Sequence, residues 1–383
     1  MNEVPHMNGN LRVGNLFGIP FYVNVSWFLV LGLITWQYGS GLAQGFASLP
    51  GITPWLLGLM AALLLFGSVL AHELGHSFAA LRQGIGVHSI TLFLFGGLAA
   101  LEKESDTPRG AFTVAIAGPA VSWALFVLLL GANWLLPLSG PAAAIVSLLA
   151  YINLALGTFN LLPGLPLDGG NVVKALVWKV TGNPYKGLAF ASRIGQGLGW
   201  LAIGLGVASL LGISSFGSVW TLLVGWFLLQ NANRSAQSAT VQAALHGLTA
   251  GDAIAANSPI VTGEMSLRAF ADEVVLAGQN TWRRFLVVDE HGQLVGTLAV
   301  DRLQEVPRDR WAETQVQDLM ASPTDLATVT ANQPLLEIVQ LLEQRQTSVL
   351  AVLQENGALL GLLERASIRE RLQRPQLPQP AAS

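Results

Sequence analysis

The chain has 383 residues, of which 52% are hydrophobic and only 11% are Asp, Glu, Lys or Arg, against roughly a quarter in an ordinary globular protein; a wholly soluble protein is excluded. A net charge of −3 leaves no basic footprint for nucleic acid. With no cysteine, disulfides, thiolate metal sites and cysteine nucleophiles are excluded as well, so any metal must be held by His, Asp or Glu.

Charge is unevenly spread. Residues 1–235 hold 15 charged side chains and residues 236–383 hold 28, so the first part reads as membrane and the second as soluble. No formal charge occurs from Val13 to His72, from Gly110 to Leu167 or from Ile194 to Asn233. Each run is long enough for two spans of about 20 residues joined by an uncharged turn. The predicted spans are 22–40, 54–80, 111–136, 142–162, 187–211 and 217–233; four spans with buried or re-entrant segments is the alternative partition. The turns at 41–53, 137–141 and 212–218 carry no Lys or Arg, while all nine basic residues of this part fall on the opposite side. The positive-inside rule then puts both termini in the cytoplasm. Residues 1–15 lack a basic leader and a clear cleavage site, so the first span is expected to be retained.

The second predicted span ends in His72-Glu73-Leu74-Gly75-His76. Histidines at i and i+4 project from one helical face, so their ring nitrogens can converge on zinc. Glu73, beside the first ligand, is placed to act as general base on water. Ionisable groups at the end of an apolar helix are expensive and mark function; the blander reading is a helix end hydrated at the interface.

A catalytic zinc takes three protein ligands and an open position. The fourth predicted span ends in Asn160-Leu161-Leu162-Pro163-Gly164-Leu165-Pro166-Leu167-Asp168-Gly169-Gly170, whose prolines and glycines cannot continue a helix. Irregular backbone at membrane depth is tolerated only inside protein or along a wet cavity. Asp168 is the only charge between Arg109 and Lys174, and in the six-span topology it lies at the same face as the histidines. It is the candidate third ligand; a cap for a helix starting near Asn171 is the competing reading. Asn160 is a candidate oxyanion or substrate-backbone donor, though an Asn satisfying the broken helix end would look the same.

Together, His72-Glu73-x-x-His76 and Asn160-x-x-Pro163-x-x-Pro166-Leu167-Asp168-Gly169-Gly170 resemble the site-2 protease family of intramembrane zinc metalloproteases, over roughly residues 10–235. The resemblance implies His72, His76 and Asp168 as ligands of one zinc per chain, Glu73 as catalytic base, and transmembrane or membrane-anchored protein substrates. A Gly-Pro motif of the family's third core span is matched by Gly118-Pro119, and no PDZ-like insert is evident. The segment Val87–Leu101 is β-prone and broken at Gly96-Gly97; hairpin or edge strands here would receive an extended substrate by strand addition, or else form a loop that only shields the site. His88 is not needed as a ligand, and His6 is isolated.

Beyond Asn233 the pattern changes. Residues 236–246 read as a polar helical linker. Within 247–372 an internal repeat at an offset of 65–66 residues relates Phe285–Gly296 to Leu350–Gly361. Each unit carries a helix, a strand, a Gly-containing turn and a second strand, so this part is α/β. It resembles a tandem CBS pair, a resemblance that implies a regulatory or homodimerising module and an adenine nucleotide as candidate ligand. Nucleotide-holding CBS modules often place Thr or Ser three residues, and Asp six residues, after the second-strand glycine. Here those positions are Ala299 and Arg302, then Glu364 and Ser367, with Asp301 one position off; a structural, dimerising or differently tuned pair is favoured. Residues 373–383, rich in Pro, Gln and Ala, are expected to be disordered. The expected architecture is thus a polytopic helical metalloprotease domain (1–235) with a small sheet near its site, followed by a soluble CBS pair. Two other classes are a CBS-regulated channel or transporter with a metal site, and a soluble-type zinc protease on membrane anchors.

Overall fold

The three uncharged runs each hold a pair of helices: α1 (Val25–Gly45) with α2 (Thr53–Leu81), α3 (Pro108–Leu135) with α4 (Gly140–Asn160), and, beyond a shorter helix α5 (Asp168–Thr181), α6 (Pro184–Leu210) with α7 (Val219–Leu245). These come from a computed structural model that describes residues 9–94, 96–255, 257–272, 282–322, 326–345 and 347–373. Contacts divide the chain into two units, Met1–Thr240 and Val241–Ser383.

Each of the six expected spans falls on a helix. Among the described residues, α2, α3 and α4 are long and apolar enough to cross a membrane. The others are diluted: α1 carries Gln-Tyr-Gly-Ser-Gly at 37–41, α6 carries Lys186 and Arg193 in its first half, and α7 turns polar after Gln230. Most of the helical linker expected at 236–246 is a continuation of α7, which runs unbroken to Leu245, and the second unit begins inside that helix. Helices approach closely where small residues allow it. A Cβ on Gly58 of α2 would lie 2.7 Å from the Thr35 carbonyl oxygen and 2.9 Å from the Gly39 nitrogen of α1.

A four-stranded sheet, ordered β1-β2-β3-β4, lies in the first unit. Strands β3 (Val87–Phe93) and β4 (Gly96–Leu101) form the antiparallel hairpin anticipated at 87–101, with Leu92 opposite Gly97. Strands β1 (Asn10–Leu16) and β2 (Ile19–Asn24) were not expected. They meet through Phe17-Gly18, both at positive φ (54° and 83°), the signature of the two-residue turn that matches strand twist. Strand β2 pairs parallel with β3, and Leu92 packs with Phe66 and Val69 of α2. Strand β4 is therefore an edge.

In the second unit two three-stranded sheets share one plan. Strand β5 (Ile260–Thr262) runs parallel to β6 (Arg284–Val288), which pairs antiparallel with β7 (Leu294–Ala299); β8 (Thr328–Thr330), β9 (Val349–Leu353) and β10 (Leu359–Glu364) repeat the pattern. Short helices α8 (Leu267–Ala269) and α9 (Val316–Leu319) and longer α10 (Leu335–Gln344) and α11 (Arg365–Gln373) complete the unit. The repeats interlock. Leu335 N–H donates to the Leu248 carbonyl and Gly251 N–H to Ala331, while Val316 N–H donates to Met265 and Gln317 N–H to Gly263. Leu245, Ala250 and Ala253 accordingly lie in one core with Leu335, Ile338 and Leu342, so the segment leading into one repeat closes the other. The expected disordered tail lies, beyond Gln373, outside the described residues. Leu335 is fully buried, and Leu335→Ala should lower the stability of this unit by about 2–5 kcal/mol; because of the interlock, hydrogen exchange should quicken at Val261 as well as at Val329.

Candidate metal centre

Helix α2 delivers both histidines one turn apart, on the face that meets α3. The side chains of His72, His76 and Asp168 are only 3%, 11% and 18% exposed. His72 Nε2 lies 3.0 Å from Asp168 Oδ2, His76 Nε2 lies 3.2 Å from the same oxygen, and the two Nε2 atoms are 3.2 Å apart. These edges approach the ~3.4 Å expected of one face of a tetrahedron with bonds near 2.1 Å.

Helix α3 sets the ring orientations. The His76 Nδ1–H donates to the Val114 carbonyl at 2.7 Å, and His72 Nδ1 lies 2.9 Å from Ser122 Oγ. A neutral imidazole that donates from Nδ1 presents a lone pair at Nε2, and such outer partners are what fix a ligand histidine. With both rings neutral and donating from Nδ1, two imidazole lone pairs and a carboxylate oxygen face one another at hydrogen-bond range, an arrangement suited to a shared cation. The point they surround is kept open by Gly118. A Cβ there would strike His76 Nε2 and come within 2.7 Å of His72 Nε2. Val114, Gly118 and Ser122 follow at intervals of four, so one stripe of α3 lines the centre. The donor set and the space both fit a zinc ion.

Asp168 reaches this point because the stretch before it folds back into the bundle. Leu165 and Leu167 are buried, the Leu165 N–H donates to Ala191 of α6 at 3.2 Å, and Leu165–Pro166 is cis. Helix α5 starts at Asp168 and its N-cap is Leu167, without a side-chain cap, so the competing reading of Asp168 as the cap of a helix starting near Asn171 does not hold. The Asp168 carboxylate is thus spent on the histidines. Lys174, on the next turns of α5, is buried and pairs with Glu104, in the connection from β4 to α3, at 2.5 Å.

Glu73 lies beside this group against the sheet edge. A Cβ on Gly97 of β4 would come within 2.5 Å of Glu73 Cγ and 2.9 Å of its Oε1, so glycine there makes room for the carboxylate. Asn160 is the last residue of α4, half-buried, and among the described residues its side chain forms no hydrogen bond to His72, Glu73, His76 or Asp168. His88 is exposed on β3 and stands outside the cluster; His6 lies outside the described residues. Sequence reading missed Val114, which acts through a backbone carbonyl that any residue carries, and Ser122, an ordinary residue in an apolar helix. Gly118→Ala should retain the helical fold by circular dichroism and lose most of its zinc by elemental analysis.

Comparisons with known proteins identify the family. The model of peptidase family M50 matches residues 60–140 and 136–202, and that of the CBS domain matches residues 316–374. A Synechocystis protein named as a zinc metalloprotease, sll0528, is 57% identical over 367 residues, covering 96% of each chain. Rip3 of Mycobacterium tuberculosis, also named as a zinc metalloprotease, is 32% identical and covers 98% of this chain and 95% of its own. Among solved structures, the site-2 protease from Methanocaldococcus jannaschii is 29% identical, covers 59% of this chain and 95% of that chain, and superposes with a TM-score of 0.44. The chain therefore belongs to peptidase family M50, the site-2 protease family of membrane-embedded zinc metalloproteases, and carries a C-terminal CBS domain.

Proposed function

We propose that the protein is an intramembrane endopeptidase with six spans and cytoplasmic termini, holding one zinc per chain on His72, His76 and Asp168 and hydrolysing peptide bonds in or near transmembrane segments of membrane-bound proteins. The observation that carries this reading is the convergence of His72 Nε2, His76 Nε2 and Asp168 Oδ2 on the space kept clear by Gly118. When bound there, zinc supplies Lewis acidity and a more acidic water. Glu73, pressed against β4 next to this space, takes the proton from the attacking water and returns it to the departing amide nitrogen as the C–N bond breaks, a role typically worth 10²–10⁴-fold. The free edge of β4 offers backbone groups to an unwound, extended substrate by strand addition, which brings the scissile bond up to Glu73. Asn160, whose amide is uncommitted among the described residues, is the proposed donor to substrate or oxyanion.

The CBS pair acts as a regulatory or dimerising module of this protease. CBS domains commonly bind adenine nucleotides, but the positions that would meet ribose and phosphate are already engaged. Arg302 donates to the Leu319 carbonyl at 2.7 Å and pairs with Glu305, and the Ser367 hydroxyl donates to the Glu364 carbonyl at 2.9 Å. Self-association therefore fits this module better than nucleotide sensing.

Glu73→Gln should keep its zinc and lose at least about 10²-fold in cleavage of a membrane-embedded reporter; unchanged turnover would remove the general-base role. Asp168→Ala should instead lower the metal content, and full retention would mean a different third ligand. The cysteine-free chain permits a direct topology test. Single cysteines at Ser139 and Ser214 should react with an impermeant thiol reagent from outside intact cells, and those at Ser105 and Asn183 only after permeabilisation.

A further inference from the structure

A second concave site, unrelated to the metal ligands' own space, lies on the outer side of the α2–α3 pair. It is a groove of about 900 Å³ with walls from Phe78, Ile116, Ala120 and Val121, and with Arg82 and Arg109 at one end. Arg82 follows the last turn of α2, and Arg109 belongs to the first turn of α3. Gln83 holds the two ends together, donating from Nε2 to the Gly110 carbonyl at 3.2 Å and accepting from Ser105 at 3.0 Å through Oε1. Both arginines are exposed. Among the described residues neither pairs with a carboxylate; of the three in the connection between them, Asp106 is paired with Lys103, Glu104 with Lys174, and the Glu102 side chain lies beside Gly86.

The groove thus has a long apolar slot between two membrane-crossing helices and two uncommitted guanidinium groups at its mouth. That division of chemistry matches an amphiphile with an acyl chain and an anionic head. A guanidinium fork binds phosphate oxygens in bidentate fashion, and basic pockets between helices at the cytoplasmic surface suit anionic headgroups. A neutral lipid would leave both arginines without a counter-charge, and a free phosphate would leave the slot unfilled. We propose that this groove holds one anionic phospholipid, its phosphate bridged by Arg82 and Arg109 and one acyl chain lying along Phe78, Ile116 and Val121. The floor of the groove includes Gly75, which sits between His72 and His76, so the lipid clamps the crossing of the two helices whose other sides orient the histidine rings. The inference requires only that α2 and α3 lie in a membrane and is independent of the proposed peptidase chemistry.

The test uses the full-length protein in neutral detergent, titrated with phosphatidylglycerol, phosphatidylcholine or inorganic phosphate and read by native mass spectrometry and thermal unfolding. Wild type should retain about one phosphatidylglycerol per chain, with a raised unfolding temperature, in preference to phosphatidylcholine. At about 1 kcal/mol per arginine near a membrane surface, the R82Q/R109Q protein should bind phosphatidylglycerol about 30-fold more weakly. Ala120→Trp, which fills the slot and leaves both charges, should also abolish retention; the single variants R82Q and R109Q, each intermediate, serve if the double variant is unstable. Equal retention of phosphatidylcholine, undiminished phosphatidylglycerol binding in R82Q/R109Q, or undiminished binding in Ala120→Trp would overturn the proposal. The same thermal shift from inorganic phosphate alone would identify a simple anion site and overturn it too. Because no arm measures proteolysis, failure here leaves the peptidase assignment untouched.

Discussion

Two imidazole lone pairs and a carboxylate, aimed at one point inside an apolar bundle, repel one another unless a cation sits among them, and the rest of the first unit is arranged around that demand. Helix α2 can supply two donors because a helix repeats its face every four residues. It cannot supply the third at the right angle, so the chain breaks a helix, folds an irregular segment against α6 and starts α5 on the aspartate. Helix α3 contributes no side chain to the His72–His76–Asp168 cluster. It contributes directions, through Val114 and Ser122, and emptiness, through Gly118. A centre of this kind is specified as much by the residues that hold the rings and vacate the space as by the ligands.

The legibility of these features in the sequence follows their physics. Charge-free runs located the six longest helices of the first unit, because formal charges are costly in long apolar stretches and nearly absent from them. The His-Glu-x-x-His spacing and the isolated Asp168 exposed the centre for the same reason: polar groups among apolar ones stand out. The β1–β2 hairpin did not stand out, since Asn10–Asn24 mixes glycine, asparagine and apolar residues without a helical or a clean alternating pattern, and its turn uses Phe17 at positive φ where Gly, Asn or Asp would have signalled it. Val114 and Ser122 were hidden differently: a backbone carbonyl has no signature in sequence, and a serine in an apolar helix is common. Asp168 allowed two readings from sequence, metal ligand or cap of a helix starting near Asn171; it lies inside α5 and is turned toward the histidines.

In the second unit the repeat was visible, but its interlocking was not. The sequence shows two similar segments in tandem; the hydrogen bonds between Leu335 and Leu248, and between Val316 and Met265, show that each segment is closed by residues preceding the other. Cutting the chain between the repeats would therefore expose two half-built cores rather than release two modules.

The pairing of Lys174 with Glu104 carries a last implication. The ammonium is shielded on α5, whereas its counter-charge sits on a solvent-facing loop that leads away from β4. Swinging that loop outward strands a positive charge in a low-dielectric pocket, and such separation is steeply unfavourable. The aspartate-bearing helix and the loop that follows the strand bordering Glu73 are thus leashed electrically.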